Sequence, residues 1–369
     1  MVSTQLPVKR TLRNSRPLSA TTQPAYFSET KKFDRSLDGP TFVDLFSGAG
    51  GLTLGFEQEG FSNLFSIDNE PSFCDTYRKN FSTHTLIQTD IATLTPKKML
   101  DMLNGRKVDV IVGGSPCQGF SMAGSIGRKF IDDPRNHLFK EFARVVKVLK
   151  PNYFVMENVA RLYTHNKGKT REEIISHFKK LGYHVFCLVL NTADYGVPQM
   201  RRRVLFIGSK SEIQIDFSKE KLNVHRTVKD VIGDLPILKT GEVSSVANHE
   251  AMNHSKQMLK KMSYIVDGGD RFSIPSRSRP KSGDVRKYIR YRSDQPSVCV
   301  TGDMRKIFHY SQNRALTVRE LARLQSFPDH FVFTGSKISQ QQQVGNAVPP
   351  LFARVIGRVL KQVMQNATT

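Results

Sequence analysis

Thr41-Phe42-Val43-Asp44-Leu45-Phe46-Ser47-Gly48-Ala49-Gly50-Gly51 decides the fold: an apolar, strand-like run stops in a glycine-rich turn, and Leu52 to Glu59 carries helical spacing as far as Gly60. The same order of strand, turn and helix recurs downstream. Leu64 to Ile67 reads as a strand closed by Asp68, Ser72 to Asn80 as a helix, Leu86 to Gln88 as a third strand before Asp90, and Pro96 to Leu103 as the next helix. Val108 to Val112 is a fourth strand, and a helix from Leu138 to Leu149 leads to the strand Tyr153 to Met156, which ends at Glu157-Asn158. Arg171 to Leu181, Tyr183 to Leu190 and Arg203 to Ile207 complete the series, the last two joined by the irregular stretch Asn191 to Arg202. Such alternation predicts an α/β fold with a mostly parallel, doubly wound sheet. Open sheets of this kind take their ligands at the carboxyl ends of the strands, so the residues that close them are the functional candidates.

With 369 residues the chain can bury one large core and carry a smaller region beside it. Met1 to Pro40 is basic, polar and without sustained period, which predicts a flexible arm; residues 41–209 and 311–369 carry the strand and helix pattern, and residues 210–310 read as a loop-rich second domain. A net charge of +22 points to a polyanionic partner, nucleic acid before an anionic membrane surface. No apolar run approaches the roughly 18 residues of a membrane span, and the polar start lacks the apolar core of a signal peptide, so a cytoplasmic location is expected. The four cysteines form no Cys-x-x-Cys pair and lie near no histidine cluster, which predicts neither a metal site nor a disulfide framework. Cys74, Cys187 and Cys299 read as packing residues.

Gly48-x-Gly50-Gly51 is a weak signal alone, since tight turns use glycine for steric reasons. No Gly-Lys-Ser/Thr follows it, and Thr53 occupies the place of the third glycine in the dinucleotide fingerprint. Asp68, about twenty residues on, could accept both hydroxyls of a ribose, and Asp90 the exocyclic amine of adenine with Ile91 packed on the ring. These features predict a nucleoside cofactor without a pyrophosphate, and S-adenosylmethionine fits. At the fourth strand, Gly113-Gly114-Ser115-Pro116-Cys117-Gln118-Gly119-Phe120-Ser121 presents a cysteine at the sheet's ligand edge in a stretch too rich in Gly and Ser for core structure. That placement predicts a reactive thiol.

The ordered set of motifs is similar to that of the cytosine-C5 DNA methyltransferases of prokaryotic restriction-modification systems. It consists of Asp44 to Gly51, Pro116-Cys117-Gln118, Glu157-Asn158-Val159, Gln199-Met200-Arg201-Arg202-Arg203, Arg319 to Pro328, and Gly345-Asn346-Ala347-Val348-Pro349, spread from about residue 41 to 360. The resemblance implies a Rossmann-like, S-adenosylmethionine-dependent fold, with 210–310 as the target-recognition domain, acting as a monomer on double-stranded DNA without a metal. It also implies a cofactor site formed by Phe46, Ser47, Gly48, Gly50, Gly51, Leu52, Asp68, Asn69, Asp90, Ile91, Pro116, Leu138, Asn346 and Val348. Asn69 stands where some relatives place an aromatic on adenine, and His309-Tyr310 where many have His-Pro, so the adenine stack and the hinge into Arg314-Ala315-Leu316 depart from the pattern.

The chemistry accounts for the residue types. C5 of cytosine is a poor nucleophile, and addition of a thiolate, here Cys117, at C6 turns the ring into an enamine with electron density on C5. Glu157 would hydrogen-bond or protonate N3, and its position after an apolar run would raise its pKa. Arg201 and Arg203 alternate along the start of a strand and would face one side, where either binds the cytosine O2 and the target phosphate and keeps Cys117 electropositive. Loss of the C5 proton then expels Cys117, with a base the sequence does not name. Enzymes of this class rotate the base out of the duplex. Ser121 to Arg135, with Gln118 and Arg128 on the DNA side, reads as a loop that closes over the base; Arg135 and Leu138 fall where the family contacts phosphate and cofactor, and Asn158 would shape the pocket. The basic residues of the second region, including Lys256, Lys260, Arg271, Arg277, Arg290 and Lys306, predict a DNA-facing surface. The alternatives are a tRNA cytosine methyltransferase, whose Cys-Phe-Thr signature is absent from that region, and a catalytically silent DNA-binding relative, whose mark would be loss of Cys117 or Glu157, both of which are present.

Overall fold

The computed structural model describes residues 39–115, 138–280 and 287–366. Its centre is a seven-stranded sheet built from β1 (Thr41–Leu45), β2 (Ser62–Asp68), β3 (Leu86–Gln88), β4 (Val110–Gly114), β5 (Tyr153–Val159), β6 (His184–Asn191) and β8 (Arg202–Ser209), in the order β3-β2-β1-β4-β5-β8-β6. The two-residue strand β7 (Gln199–Met200) lies outside it and pairs with β10 (Ser297–Val298); β9 (Ile289–Arg290) pairs with β11 (Ile307–Phe308). The five strands from β3 to β5 are parallel. β8 runs antiparallel to both β5 and β6, so the sheet is mostly rather than wholly parallel. The cause is the short link from β6, too short for a crossover helix, which folds back so that Thr192 N donates to Arg201 O at 2.9 Å.

Helices α1 (Gly51–Gln58), α2 (Pro71–Asn80), α3 (Pro96–Leu103), α4 (Leu138–Leu149), α5 (Arg161–Thr164) and α6 (Lys169–Lys180) connect the strands. Their boundaries follow local chemistry: α3 begins with Pro96 behind Thr95, whose hydroxyl accepts from Lys98 N at 3.3 Å. The strands are apolar on both sides. Val43, Ile111, Phe154 and Phe206 join one core with α4 and α6, while Phe42, Val110, Val112, Val155, Leu205 and Ile207 join another under α11 (Pro350–Asn366). A third core packs α7 (Val228–Ile232) and Tyr291, Val300 and Met304 against α9 (Val318–Leu324) and α10 (Lys337–Asn346). A smaller one forms under α8 (Lys256–Ser263), from Met262, Ile265, Ile274, Tyr288 and Phe308.

Two of the arginines expected on the basic surface are structural: Arg271 and Arg290 are buried, and Arg290 donates to the carbonyls of Ile265, Met262, His309 and Gln312. Tyr310 stacks on His309 at 4.3 Å before the chain enters α9, where Arg314 grips Glu320 through two bonds of 2.8 and 2.6 Å. Among the described residues, no helix is long and apolar enough to cross a membrane, and no cluster of His, Cys, Asp or Glu could hold a metal.

Phe154 is fully buried, with ring centroids of Phe178, Tyr183 and Phe142 at 4.1, 5.3 and 6.0 Å. Phe154→Ala should destabilise the fold by about 3–5 kcal/mol, read as a lower midpoint of urea unfolding at an unchanged slope.

Candidate functional site

The end of β1 is forced into an unusual path. Phe46 has φ 58°, rare for a side chain of its size, and Gly50 has φ 99°. Ser47 N donates to Ile67 O at 3.0 Å and Gly48 N to Asp68 Oδ2 at 2.8 Å, so the turn is laced to the end of β2. Glycine is required twice over: a Cβ on Gly50 would sit 2.4 Å from the Phe81 ring, and one on Gly51 2.2 Å from Val348 O. Val348 and the turn therefore touch through backbone, with Leu52 buried just behind. α1 starts here with no side-chain cap, leaving its first amides for an anionic group.

Asp68 closes β2, its Oδ1 accepting from Glu70 N at 2.9 Å; each oxygen keeps a lone pair for a hydroxyl. Burial raises its pKa, against the lowering effect of these bonds. Asn69 and Asp90 are exposed, Asp90 capping a short turn by accepting from Ala92 N at 2.9 Å, while Ile91 beside it is buried. Leu138 opens α4 half-buried and Asn346 ends α10 exposed. The buried Ser47 Oγ accepts and donates no hydrogen bond among the described residues. An orphaned hydroxyl, free helix amides and a strand-end carboxylate together fit a nucleoside carrying an amino-acid tail.

One neighbour escaped the sequence reading as a site residue. Asp44 is fully buried in β1; its Oδ2 accepts from Thr53 Oγ1 at 2.7 Å and its Oδ1 has no partner. Burial pushes its pKa up to about 7.

At the chemical end, Pro116, Cys117, Gln118, Ser121, Arg128 and Arg135 lie outside the described residues, as do residues 1–38 of the arm. Ser115, which precedes them, is held by Asn158, whose Nδ2 donates to Ser115 O at 2.9 Å and Ser115 Oγ at 3.2 Å. Asn158 thus fixes the chain two residues before Cys117. Glu157 is buried in β5, paired in register with Gly114. A Cβ on Gly114 would lie 3.2 Å from Glu157 Oε2 and 3.9 Å from Val348 Cγ2, so the carboxylate and the cofactor turn's neighbour converge on one point. Arg203 Nε lies 2.8 Å from Glu157 Oε1 in an ion pair whose angle makes no hydrogen bond.

Arg201 and Arg203 take different tasks. Arg201 stands between β7 and β8 and is 3% exposed; it donates to Val300 O at 3.0 Å and to Gly345 O and Ala347 O at 3.1 Å. Burial first, and the Arg203 charge second, lower its pKa to about 10. Expected at the base, its Nη groups instead tie three chain segments together, because the strand alternation assumed for it breaks before Arg202. Cys299, expected as a packing residue, is a correction: its sulfur lies 3.6 Å from Arg201 Nη1. Burial would raise that thiol, but the Arg201 and Arg203 guanidiniums hold it below its ordinary value. A run of three arginines gives no hint of a cysteine that arrives from 98 positions away.

The profile of the family described as C-5 cytosine-specific DNA methylase matches residues 40–362. The chain is 63% identical over 326 residues to the Type II methyltransferase M1.HphI of Haemophilus parahaemolyticus, covering 88% of each. It is 33% identical to the Type II methyltransferase M.DdeI of Desulfomicrobium norvegicum, over 88% of this chain and 89% of that one. A solved E. coli structure, a putative DNA modification methyltransferase encoded within a prophage, superposes with a TM-score of 0.73 at 25% identity, over 89% of this chain and all of that one. The S. pombe Dnmt2 methyltransferase shares the fold with a TM-score of 0.61 at 17% identity, over 89% of this chain and all of that one.

If Asp44 titrates near 7 folded and near 3.9 unfolded, the stability it contributes is present below about pH 4 and lost as the pH rises through 7, about 4 kcal/mol at most. Asp44→Asn should therefore raise the denaturation midpoint at pH 8 and flatten the fall in stability between pH 5 and 8 in urea titrations.

Proposed function

The chain belongs to the C-5 cytosine-specific DNA methylase family, and from that premise we propose how its own residues divide the work of methylating DNA. The protein is a sequence-specific DNA (cytosine-5-)-methyltransferase of a restriction-modification system, and its methylation depends on S-adenosylmethionine. When bound, that cofactor supplies an electrophilic methyl group. Ser47, the amides at the start of α1 and Asp68 would hold its amino-acid tail and ribose, Asp90 and Ile91 its adenine, and Val348 the side facing the base.

The thiolate of Cys117 adds to C6 of a cytosine turned out of duplex DNA, forming a covalent adduct. Glu157 meets the charge that develops at N3, by hydrogen bond or proton, and Arg203 keeps the carboxylate aimed while presenting its remaining N–H groups toward O2. Asn158 holds Ser115, two residues before Cys117 in the chain. After transfer to C5, removal of the C5 proton restores the ring and expels the thiolate. Arg201 acts at one remove, by fixing the segments around Arg203. The 210–310 region serves as the target-recognition domain, with the exposed Lys256 and Lys260 of α8 among its phosphate contacts. The enzyme works as a monomer in the cytoplasm.

The observation that carries this reading is the Glu157–Arg203 pair at 2.8 Å beside Gly114, at the sheet edge where Ser115 leads into Cys117. Cys117→Ala should abolish transfer of labelled methyl to duplex DNA, and Glu157→Gln should lower kcat by about 10²–10⁴, with cofactor affinity by calorimetry unchanged in both. DNA carrying 5-fluorocytosine should become covalently bound to the wild-type protein in the presence of cofactor and not to Cys117→Ala; brisk turnover without such an adduct would overturn the mechanism.

A further inference from the structure

Three cysteines fall among the described residues, and their surroundings differ in kind. Burial pushes the Cys74 thiol up to about 12 and the Cys187 thiol up to about 11. Cys299 is partly exposed and sits against two cations. Its position follows from strand pairing: β10 lies parallel to β7 with Ser297 opposite Gln199 and Val298 opposite Met200, so the next residue on each side brings Cys299 to Arg201.

The charges in this corner do not cancel. Arg201 and Arg203 bring two positive charges and Glu157 one negative. The acceptors on the Arg201 nitrogens are three backbone carbonyls and the Cys299 sulfur, with no carboxylate among them. Two guanidiniums forced together repel unless an acceptor lies between them. A sulfur fits that place: as a thiol it donates to Val300 O at 3.6 Å, and as a thiolate it accepts from the arginines.

We propose that Cys299 is a positioning residue for methyl transfer, its sulfur acting as the acceptor shared by Arg201 and Arg203 that keeps Arg203 on Glu157. The assignment rests on the roles given above to Glu157 and Arg203. Because Cys299 arrives from the 210–310 stretch, it also gives that region a direct hold on the Arg201–Arg203 pair. Removing the sulfur leaves the two cations facing each other, and Arg203 moves off the carboxylate without disturbing the cofactor turn.

The full-length protein tests this. Cys299→Ala should lower kcat on duplex DNA at least tenfold while KM for S-adenosylmethionine stays within twofold, and Cys299→Ser, which keeps an acceptor, should recover to within threefold of wild type. In a Cys117→Ser background, ultraviolet absorbance should show a thiolate forming below the ordinary thiol value of about 8.5. It should vanish with Cys299→Ser and move upward with Arg203→Ala. Wild-type kcat in Cys299→Ala, or a Cys299 thiol that titrates at or above 8.5 and ignores Arg203→Ala, overturns the proposal; should Cys299→Ala fail to fold, the titration decides. Full activity in Glu157→Gln would instead bring down the roles of Glu157 and Arg203, whereas an inactive Glu157→Gln beside a fully active Cys299→Ala would remove Cys299 alone.

Discussion

A buried guanidinium joins the parts of this molecule that chain order keeps apart. Arg201 reaches Val300 from the second region and Gly345 and Ala347 from the stretch behind the cofactor turn. Gln199 reinforces it, accepting from Val300 N at 2.8 Å and donating to Gln325 Oε1 at 2.8 Å, while Gln325 donates to Val344 O at 2.7 Å. Apart from the half-buried Ala347 these groups are buried, so a bond lost among them would strand a polar atom without water. The network sets where β8 begins, hence where Arg203 stands and whether Glu157 has a partner.

Burial shapes both ends of the site, with opposite consequences for charge. At Asp44 it favours the neutral acid, and at Arg201 it weakens a cation that three carbonyl dipoles and a sulfur nevertheless hold. Glu157, equally enclosed, has a cation at 2.8 Å. The glycine-turn end thus carries an acid that can lie neutral near neutral pH beside the carboxylate of Asp68, and the Glu157 end gathers an excess of positive charge.

Much of this was legible in the sequence. The limits of β3, α3 and α4 match the sequence reading to the residue: at α3 a Thr-Pro start and a Gly after the last turn mark both ends, and α4 carries a clean apolar face. The glycine turn and Asp68 were likewise visible as strand endings; Glu157, read as one, lies inside β5, which runs on to Val159 because β8 pairs with it that far. The direction of β8 was not, since a strand buried on both faces has the same pattern in either orientation. The separate fates of Arg201 and Arg203 were hidden by the break between β7 and β8, and the burial of Arg290 by the habit of reading basic residues as surface. Asp44 stood in plain view within a motif, but its isolation from water depends on α1 and α2 folding over it.

The helix α11 covers one face of β1, β4 and β5, and its Arg354 meets Glu59 of α1's end across 295 positions of chain. Gly55 lets the two helices approach so closely that a Cβ there would strike Ala353. During synthesis, the apolar face of β1, β4 and β5 has no native cover until α11, far downstream, has been translated. The half-sheet that waits for α11 is the species most exposed to aggregation or chaperone capture.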